Sequence, residues 1–173
     1  MVSRAGEGND LMSRGQRGFS LIELLIVVAI ILIIVAIAIP NILRSRIAAN
    51  QASAIESLRI IATAEVTYFS TYSTGFSTSM TILGPPPAGQ QASATAAGLI
   101  DEALAGGEKS GYSFTFTPAD FDAGTNRWYG YTIQANPVVF GQTGGMYYFA
   151  DQSHVIRGNA TTLAGSTDPA MGD

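Results

Sequence analysis

The chain contains no cysteine among its 173 residues and only one histidine, His154. The lack of cysteine excludes structural disulfides, thiolate metal sites and cysteine catalysis. A single histidine without cysteines also argues against a zinc site or a Ser-His triad. We therefore expect no catalytic residue, no cofactor and no resident metal, and we interpret His154 as a turn or strand-edge residue.

Charged residues are scarce as well. They make up 13% of the chain, whereas an average soluble domain has about 25%. The formal net charge is −4; the first 18 residues contribute +1 (three arginines, two acids), so the remainder carries −5. An acidic chain is not attracted in bulk to nucleic acid or anionic lipid, and we predict no specific nucleic-acid partner.

What the sequence does have is one long apolar run. Residues 17–41 read RGFSLIELLIVVAIILIIVAIAIPN and contain a single carboxylate, Glu23. As a helix, residues 19–39 would be about 31 Å long, close to the roughly 30 Å hydrocarbon core of a bilayer. Leaving a dozen such side chains in water would cost about 20–35 kcal/mol, more than the stability of a small domain.

Three interpretations satisfy that constraint. In the first, the run is the core helix of a soluble domain, but a helix apolar on all sides must be surrounded and the rest of the chain is small for that. In the second, the run is a secretory signal cut after Ala36-Ile37-Ala38, so that the mature chain begins at Ile39; Glu23 and the nearby Pro40 disfavour this. In the third, the leader before Phe19 is removed and the helix is retained.

The third interpretation also matches a known family. Residues 17–41 resemble the N-terminus of type IV pilins and of the related type II secretion pseudopilins. The shared features are a basic leader ending in Gly18, then Phe19, Glu23, the aliphatic run and Pro40. The resemblance implies cleavage between Gly18 and Phe19 by a prepilin peptidase, followed by N-methylation of Phe19.

The resemblance further implies a location and partners. The processed subunit would be a single-pass inner-membrane protein surrounded by lipid, and would then enter an extracellular pilus or a periplasmic pseudopilus. It would assemble with copies of itself into a helical filament, aided by an inner-membrane platform protein and an assembly ATPase. The arginines on both sides of the span give only a weak charge bias, so the cytoplasmic N-terminus follows from the family.

Glu23 is the residue to which we assign a role in assembly. A carboxylate within an apolar segment is costly and usually has a partner. Cleavage would create an α-amine on Phe19, one helical turn away, which could pair with Glu23 in the same chain or in a neighbour. The alternative is a carboxylate that is simply hydrated near the headgroups. The family assigns the recruitment role to its corresponding glutamate.

The remainder of the chain predicts an α+β fold, in which a long N-terminal helix packs on a small antiparallel β-sheet. The predicted regions are a cleaved leader (1–18), a transmembrane or filament-core helix (19–40), an amphipathic helix half (41–72), a connector with a short helix (73–111, helix at 95–105), a sheet (112–157) and a loose tail (158–173). Pro40 should kink or loosen the helix. The expected strands are residues 112–117, 128–135 and 146–150, and residues 155–157 are a candidate for a short fourth strand.

On the amphipathic half, we expect an apolar face formed by residues at spacings of three, four and seven: Leu43, Ile47, Ala54, Ile55, Leu58, Ile61, Ala62, Val66, Phe69 and Tyr72. We interpret Tyr68, Phe69 and Tyr72 as packing residues.

Several smaller motifs can be interpreted without a catalytic role. We expect Asp101-Glu102 to be solvated and Gly144-Gly145 to be a turn. The acids Asp151, Asp168 and Asp173 could supply oxygen ligands for calcium, although their spacing matches no calcium-binding loop. Asn159-Ala160-Thr161 is a formal glycosylation sequon.

We therefore predict a non-enzymatic structural subunit, a type IV pilin for adhesion or motility. A type II secretion pseudopilin is the first alternative, and a secreted or membrane-anchored binding domain is an alternative of another class.

Overall fold

The computed structural model describes residues 18–171 of the chain. Helix α1, Leu21–Tyr72, is its dominant element. The chain divides after Pro40 into two compact units, and each is described by itself.

The first unit contains the apolar part of α1, whose side chains are exposed. Every large aliphatic residue from Leu21 to Ile39 has at least 39% of its surface accessible, and Leu21 reaches 80%. The most apolar 18-residue window of α1 is long and apolar enough to cross a membrane, and none of it is buried within the chain. The interpretation as a soluble core helix is therefore wrong, because a core helix must be covered.

The second unit is built on a five-stranded antiparallel sheet whose strands follow one another in chain order. The strands are β1 (Glu108–Lys109), β2 (Tyr112–Asp122), β3 (Arg127–Pro137), β4 (Tyr147–Asp151) and β5 (Arg157–Asn159). Two short helices, α2 (Met80–Leu83) and α3 (Glu102–Ala105), lie in the connector between α1 and the sheet. This arrangement confirms the predicted α+β fold class.

The core of this unit lies between the second half of α1 and the sheet. Leu58 and Ile61 of α1 are fully buried in one cluster with Tyr131 and Ile133 of β3. The predicted apolar face of α1 is only partly right, because Leu43 and Val66 are 45% and 47% exposed. The buried face includes four residues that the apolar pattern omits: Ser57, Ala64, Glu65 and Tyr68.

Two of the observed strands, β2 and β3, are longer than predicted. β2 continues past residue 117 to Asp122, and Pro118 pairs with Tyr131 of β3. Proline has no N–H to donate, so it fits where a strand has a neighbour on one side only. That condition holds at Pro118, because β1 pairs with β2 only at Tyr112 and Ser113.

The connector also differs from its prediction. The expected helix at residues 95–105 is only the four-residue α3, while α2 was not predicted. Gly98 has a φ of +66°, a left-handed conformation that ends a right-handed helix. The Asp101 side chain accepts a hydrogen bond from the Leu104 N–H. This cap starts α3 at Glu102, four residues after Gly98.

The C-terminal region is more ordered than the loose tail that the sequence suggested. Gly158 and Asn159 belong to β5, which was expected at residues 155–157. Beyond β5, the Gly158 N–H donates to the Pro169 carbonyl, and the Met171 N–H donates to the Ile156 carbonyl. Backbone hydrogen bonds therefore hold this region without a disulfide.

Candidate processing and assembly site

The predicted cleavage junction lies at the start of α1. Residues 18–20 are not helical, and the helix begins at Leu21. The Leu24 N–H donates to the Ser20 carbonyl at 3.2 Å, which closes the first helical turn. Phe19 is 77% exposed. A peptide bond between Gly18 and Phe19 is therefore adjacent to, and not within, the hydrogen-bonded helix.

Glu23 lies on this first turn and caps it. Its Oε2 accepts a hydrogen bond from the backbone N–H of Ser20 at 3.2 Å. This N–H belongs to the free donors that a helix N-terminus leaves without partners. A carboxylate near that end also interacts favourably with the helix dipole. Within the described residues, Ser20 is the one hydrogen-bond partner of the Glu23 carboxylate, and Oε1 is available to another donor.

The capping role of Glu23 was missed in the sequence, although a signal for it is present. Ser20-Leu21-Ile22-Glu23 has the S-x-x-E form of a capping box, in which the acid three residues after the cap reaches back to the cap N–H. Phe19 and Leu24 also occupy the two positions at which a hydrophobic staple is found. The cost of a carboxylate in an apolar segment does not by itself indicate that the carboxylate lies in the first helical turn.

Pro40 lies inside α1, and the helical conformation continues on both sides of it. Proline lacks the N–H that would bond to the carbonyl of Ala36 four residues earlier, so one bond of the helical ladder is missing. The units described above divide at this residue. The predicted kink stays a prediction.

Among the described residues, the other candidates do not form a second site. His154 is in a turn, with a φ of +63° and its N–H donating to the Asp151 carbonyl, as expected for a turn residue. The Asp151 carboxylate accepts from the N–H and hydroxyl of Ser153. Asp168 accepts from Asn159 and Gly165. Asp173 lies outside the described residues, within which no group of three or more acids, histidines or cysteines could hold a metal.

Two of the remaining motifs have local structural functions. Gly144 lies against the Tyr112 ring, where a Cβ would be 2.1 Å from the phenolic oxygen. The sequon residue Asn159 uses its Nδ2, the atom to which a glycan would be joined, to donate to Asp168 at 2.8 Å.

The pair Asp101-Glu102 combines exposure with a structural contact. Asp101 accepts from Lys109 Nζ at 2.6 Å as well as capping α3. The hydrogen bond from Lys109, and then that from Leu104, lower the pKa of Asp101 below its usual range.

Comparison with known proteins concerns the N-terminal segment. The family model for the prokaryotic N-terminal methylation motif matches residues 13–39, a range that contains Gly18, Phe19 and Glu23. The chain carries a type IV pilin-like N-terminus. The type IV major pilin protein PilA of Myxococcus xanthus (strain DK1622) is 50% identical over 54 residues, which are 31% of this chain and 24% of that protein. The chain thus aligns with about a quarter of the length of this relative. No solved structure matches the chain significantly.

These matches confirm the resemblance to type IV pilins that residues 17–41 indicated. A pilin-type structural subunit with a hydrophobic N-terminal helix is the class that they support.

Proposed function

We propose that the chain is a type IV pilin that is cleaved between Gly18 and Phe19 and polymerises into a cell-surface filament. The observation that carries this proposal is the apolar part of α1, of which none is buried within the chain, preceded by a non-helical junction within the matched methylation motif. Exposed apolar surface of this size must be covered by lipid or by protein. Lipid covers this surface while the subunit is stored in the inner membrane. Other copies of the chain cover it once the helices bundle in the filament.

The assembly step depends on a new charge. Before cleavage the Phe19 nitrogen is a neutral amide, and after cleavage it is a cationic amine, which N-methylation leaves cationic. Glu23 Oε2 is already bonded to the N–H of the next residue, Ser20, at 3.2 Å. We assign Oε1 to the Phe19 amine of a neighbouring subunit. In an apolar helix bundle an unpaired carboxylate is costly, so this pair would fix the axial register of the incoming subunit.

Pro40 completes the proposal. The hydrogen bond missing at Ala36 would let the exposed apolar part of α1 bend relative to a straight helix when it is packed into a filament. The prepilin peptidase, the inner-membrane platform protein and the assembly ATPase are the partners that this pathway requires. The similarity to a type IV major pilin protein favours a pilus over a pseudopilus. Adhesion and motility are the roles that we assign to the filament, and we assign no catalytic activity.

The mature N-terminus provides the test. Terminal sequencing and intact-mass measurement of the protein from its native cells should give N-methyl-phenylalanine at Phe19, and sheared filaments should contain the same species. A mature chain that begins at Ile39 would establish an ordinary signal peptide and overturn the proposal. An uncut chain beginning at Met1 would also overturn it, because the proposed amine would then never form.

A further inference from the structure

A second glutamate of α1, Glu65, is completely buried in the core of the second unit. Both of its carboxyl oxygens face Ser77, which is also completely buried. The backbone N–H of Ser77 donates to Oε2 at 2.9 Å, and the Ser77 hydroxyl lies 2.5 Å from Oε1. Ser77 belongs to the first part of the connector, residues 73–79, so this contact joins α1 to the chain that leaves it.

No positively charged group pairs with Glu65 in the part of the chain that the structure describes. Among the described residues, its hydrogen bonds come from Ser77 alone, and no ion pair involves it. Burial raises the pKa of Glu65, and this effect outweighs the two hydrogen bonds from Ser77, which lower it. A buried carboxylate without a cation is costly, and such a group usually becomes neutral instead.

The titratable groups on the neighbouring strands are also acidic. Tyr131 of β3 is fully buried, and its phenolic oxygen has no hydrogen-bond partner among the described residues. Burial raises the pKa of Tyr131, with smaller contributions from the charges of Glu65 and then of Asp151, at the end of β4. A negative charge on Glu65 would therefore lie close to the buried phenol of Tyr131.

The protons available at Ser77 favour a protonated Glu65. The Ser77 hydroxyl oxygen is within hydrogen-bonding distance of two oxygens, Glu65 Oε1 and the Ser79 carbonyl, the latter at 3.1 Å. A carbonyl can only accept, and a hydroxyl has one proton to donate. If Glu65 were ionised, the two acceptors would compete for that proton. If Oε1 carries a proton, Glu65 donates to Ser77, Ser77 donates to Ser79, and every contact is a hydrogen bond.

We propose that Glu65 is a neutral carboxylic acid in the folded chain at neutral pH, and that its proton locks the start of the connector onto α1. The inference is independent of filament assembly, since it concerns contacts within the second unit only. Residues 73–79 then form a proton-dependent junction, which loosens when Glu65 loses its proton.

The junction joins three elements. The Phe76 N–H donates to the Trp128 carbonyl of β3 at 2.9 Å, and the Phe76 ring packs edge-on against Tyr131 with 5.0 Å between centroids. Gly75 has a φ of +91°, and a Cβ there would be 2.7 Å from the Trp128 carbonyl oxygen. Ser77 follows directly, so a charge on Glu65 would act on the segment that connects α1 to β3.

The direction of the pH dependence follows from proton binding. Between the unfolded pKa of Glu65, near 4.5, and its raised folded value, the folded chain binds more protons than the unfolded chain. The stability that Glu65 contributes is therefore fully present below the unfolded pKa. It falls as the pH rises through this interval.

For the first measurement, the full-length chain is held in detergent micelles and its thermal midpoint is followed from pH 5 to pH 8. The wild-type midpoint should fall as the pH rises. In Glu65→Gln, a neutral side chain of the same shape, the midpoint should stay nearly constant and exceed that of the wild type at pH 8. Glu56→Gln is the matched control, since Glu56 is a largely exposed carboxylate on the same helix, and it should follow the wild type.

The second measurement detects the proton directly. With glutamate labelled by ¹³C, infrared spectra at pH 7 should show a protonated carboxyl band in the wild type and in Glu56→Gln, and no such band in Glu65→Gln. Hydrogen exchange at the Ser77 amide should accelerate with pH beyond its intrinsic rate in the wild type and in Glu56→Gln, but not in Glu65→Gln. A wild type without the protonated band at pH 7 would refute the proposal. So would a Glu65→Gln variant that is unfolded or equally destabilised at pH 5 and pH 8, because a neutral isostere should replace a neutral acid.

Discussion

The carboxylate of Glu23 accepts the backbone N–H of Ser20 at 3.2 Å, and so the one acid of the apolar segment caps the helix that contains it. A cap bond and an ion pair have different requirements. The cap needs an oxygen that accepts a hydrogen bond, whereas pairing with the Phe19 amine needs a negative charge. Two substitutions at position 23 separate these requirements.

Glu23→Gln keeps an acceptor oxygen for Ser20 and removes the charge, and Glu23→Ala removes both. If assembly depends on the ion pair, both variants should be inserted and cleaved, and both should give at least tenfold fewer filaments than the wild type. Immunoblots of sheared filaments and of the membrane fraction measure assembly and processing separately. Normal filament yield from Glu23→Gln would show that the cap, not the charge, is what assembly requires.

The sequence predicted the elements of this fold better than their contacts. The uniform apolar run and the later three-and-four spacing identified α1, because both are properties of one continuous segment. Glu65 could not be placed in the core in this way, since its burial depends on hydrogen bonding with Ser77, twelve residues away. The extra length of β2 depended likewise on whether Pro118 had one neighbouring strand or two.

The candidate site shows the same division. Its local features, Gly18, Phe19 and Glu23, stand in the sequence in a recognisable order, and the S-x-x-E cap could have been identified there too.

The tail could not be predicted, because its order comes from contacts of β5 with residues 165–171. Asp168 provides two of these contacts, one through its side chain to Asn159 and one through its carbonyl to Arg157.

Gly144 should not tolerate a side chain. A Cβ at this position would lie 2.1 Å from the Tyr112 hydroxyl oxygen and 2.5 Å from Cζ of the same ring. Tyr112 is fully buried and donates to the Met146 carbonyl, so the ring cannot move away without breaking that bond. Gly144→Ala should therefore destabilise the second unit by about 1–3 kcal/mol.

Thermal unfolding of the full-length chain in detergent, followed by circular dichroism, measures this loss. Gly165→Ala is the control, because its added Cβ would meet no atom within 4 Å, and its midpoint should stay close to that of the wild type. Equal midpoints for the two variants would contradict the close packing of Tyr112 on Gly144.

Asp101 should make the connector sensitive to acid. Its pKa is lowered by the hydrogen bond from Lys109 and then by that from Leu104. A lowered folded pKa means that the contribution is present above the unfolded value of 3.8 and is lost as the pH falls below it. Asp101→Ala should cost about 1 kcal/mol at pH 7, the usual effect of losing a helix cap.

Asp101→Asn keeps an oxygen for the Leu104 N–H and should retain most of the stability at pH 7. Lys109→Met removes the ion pair and keeps the cap, so it should cost less than Asp101→Ala, because exposed ion pairs contribute little. Thermal midpoints at pH 7 and pH 3 test the order. A larger loss from Lys109→Met than from Asp101→Ala would show that the pair, and not the cap, holds α3.

Asp168 should control the order of the C-terminal region. Its carboxylate accepts from Asn159 Nδ2 and from the Gly165 N–H, each at 2.8 Å, while its carbonyl accepts from Arg157 Nη1 at 2.8 Å. Asp168→Ala removes the two carboxylate contacts and leaves Asn159 Nδ2 without its acceptor. We expect faster hydrogen exchange at Gly158 and Met171, whose N–H groups bond within this region, and faster proteolytic cleavage after residue 159.

Asp122→Ala is a matched control, since Asp122 also accepts local hydrogen bonds, from Gly124 and Thr125 in the β2–β3 turn. Cleavage of the tail at the wild-type rate in Asp168→Ala would mean that the backbone bonds from Gly158 and Met171 are sufficient to hold it.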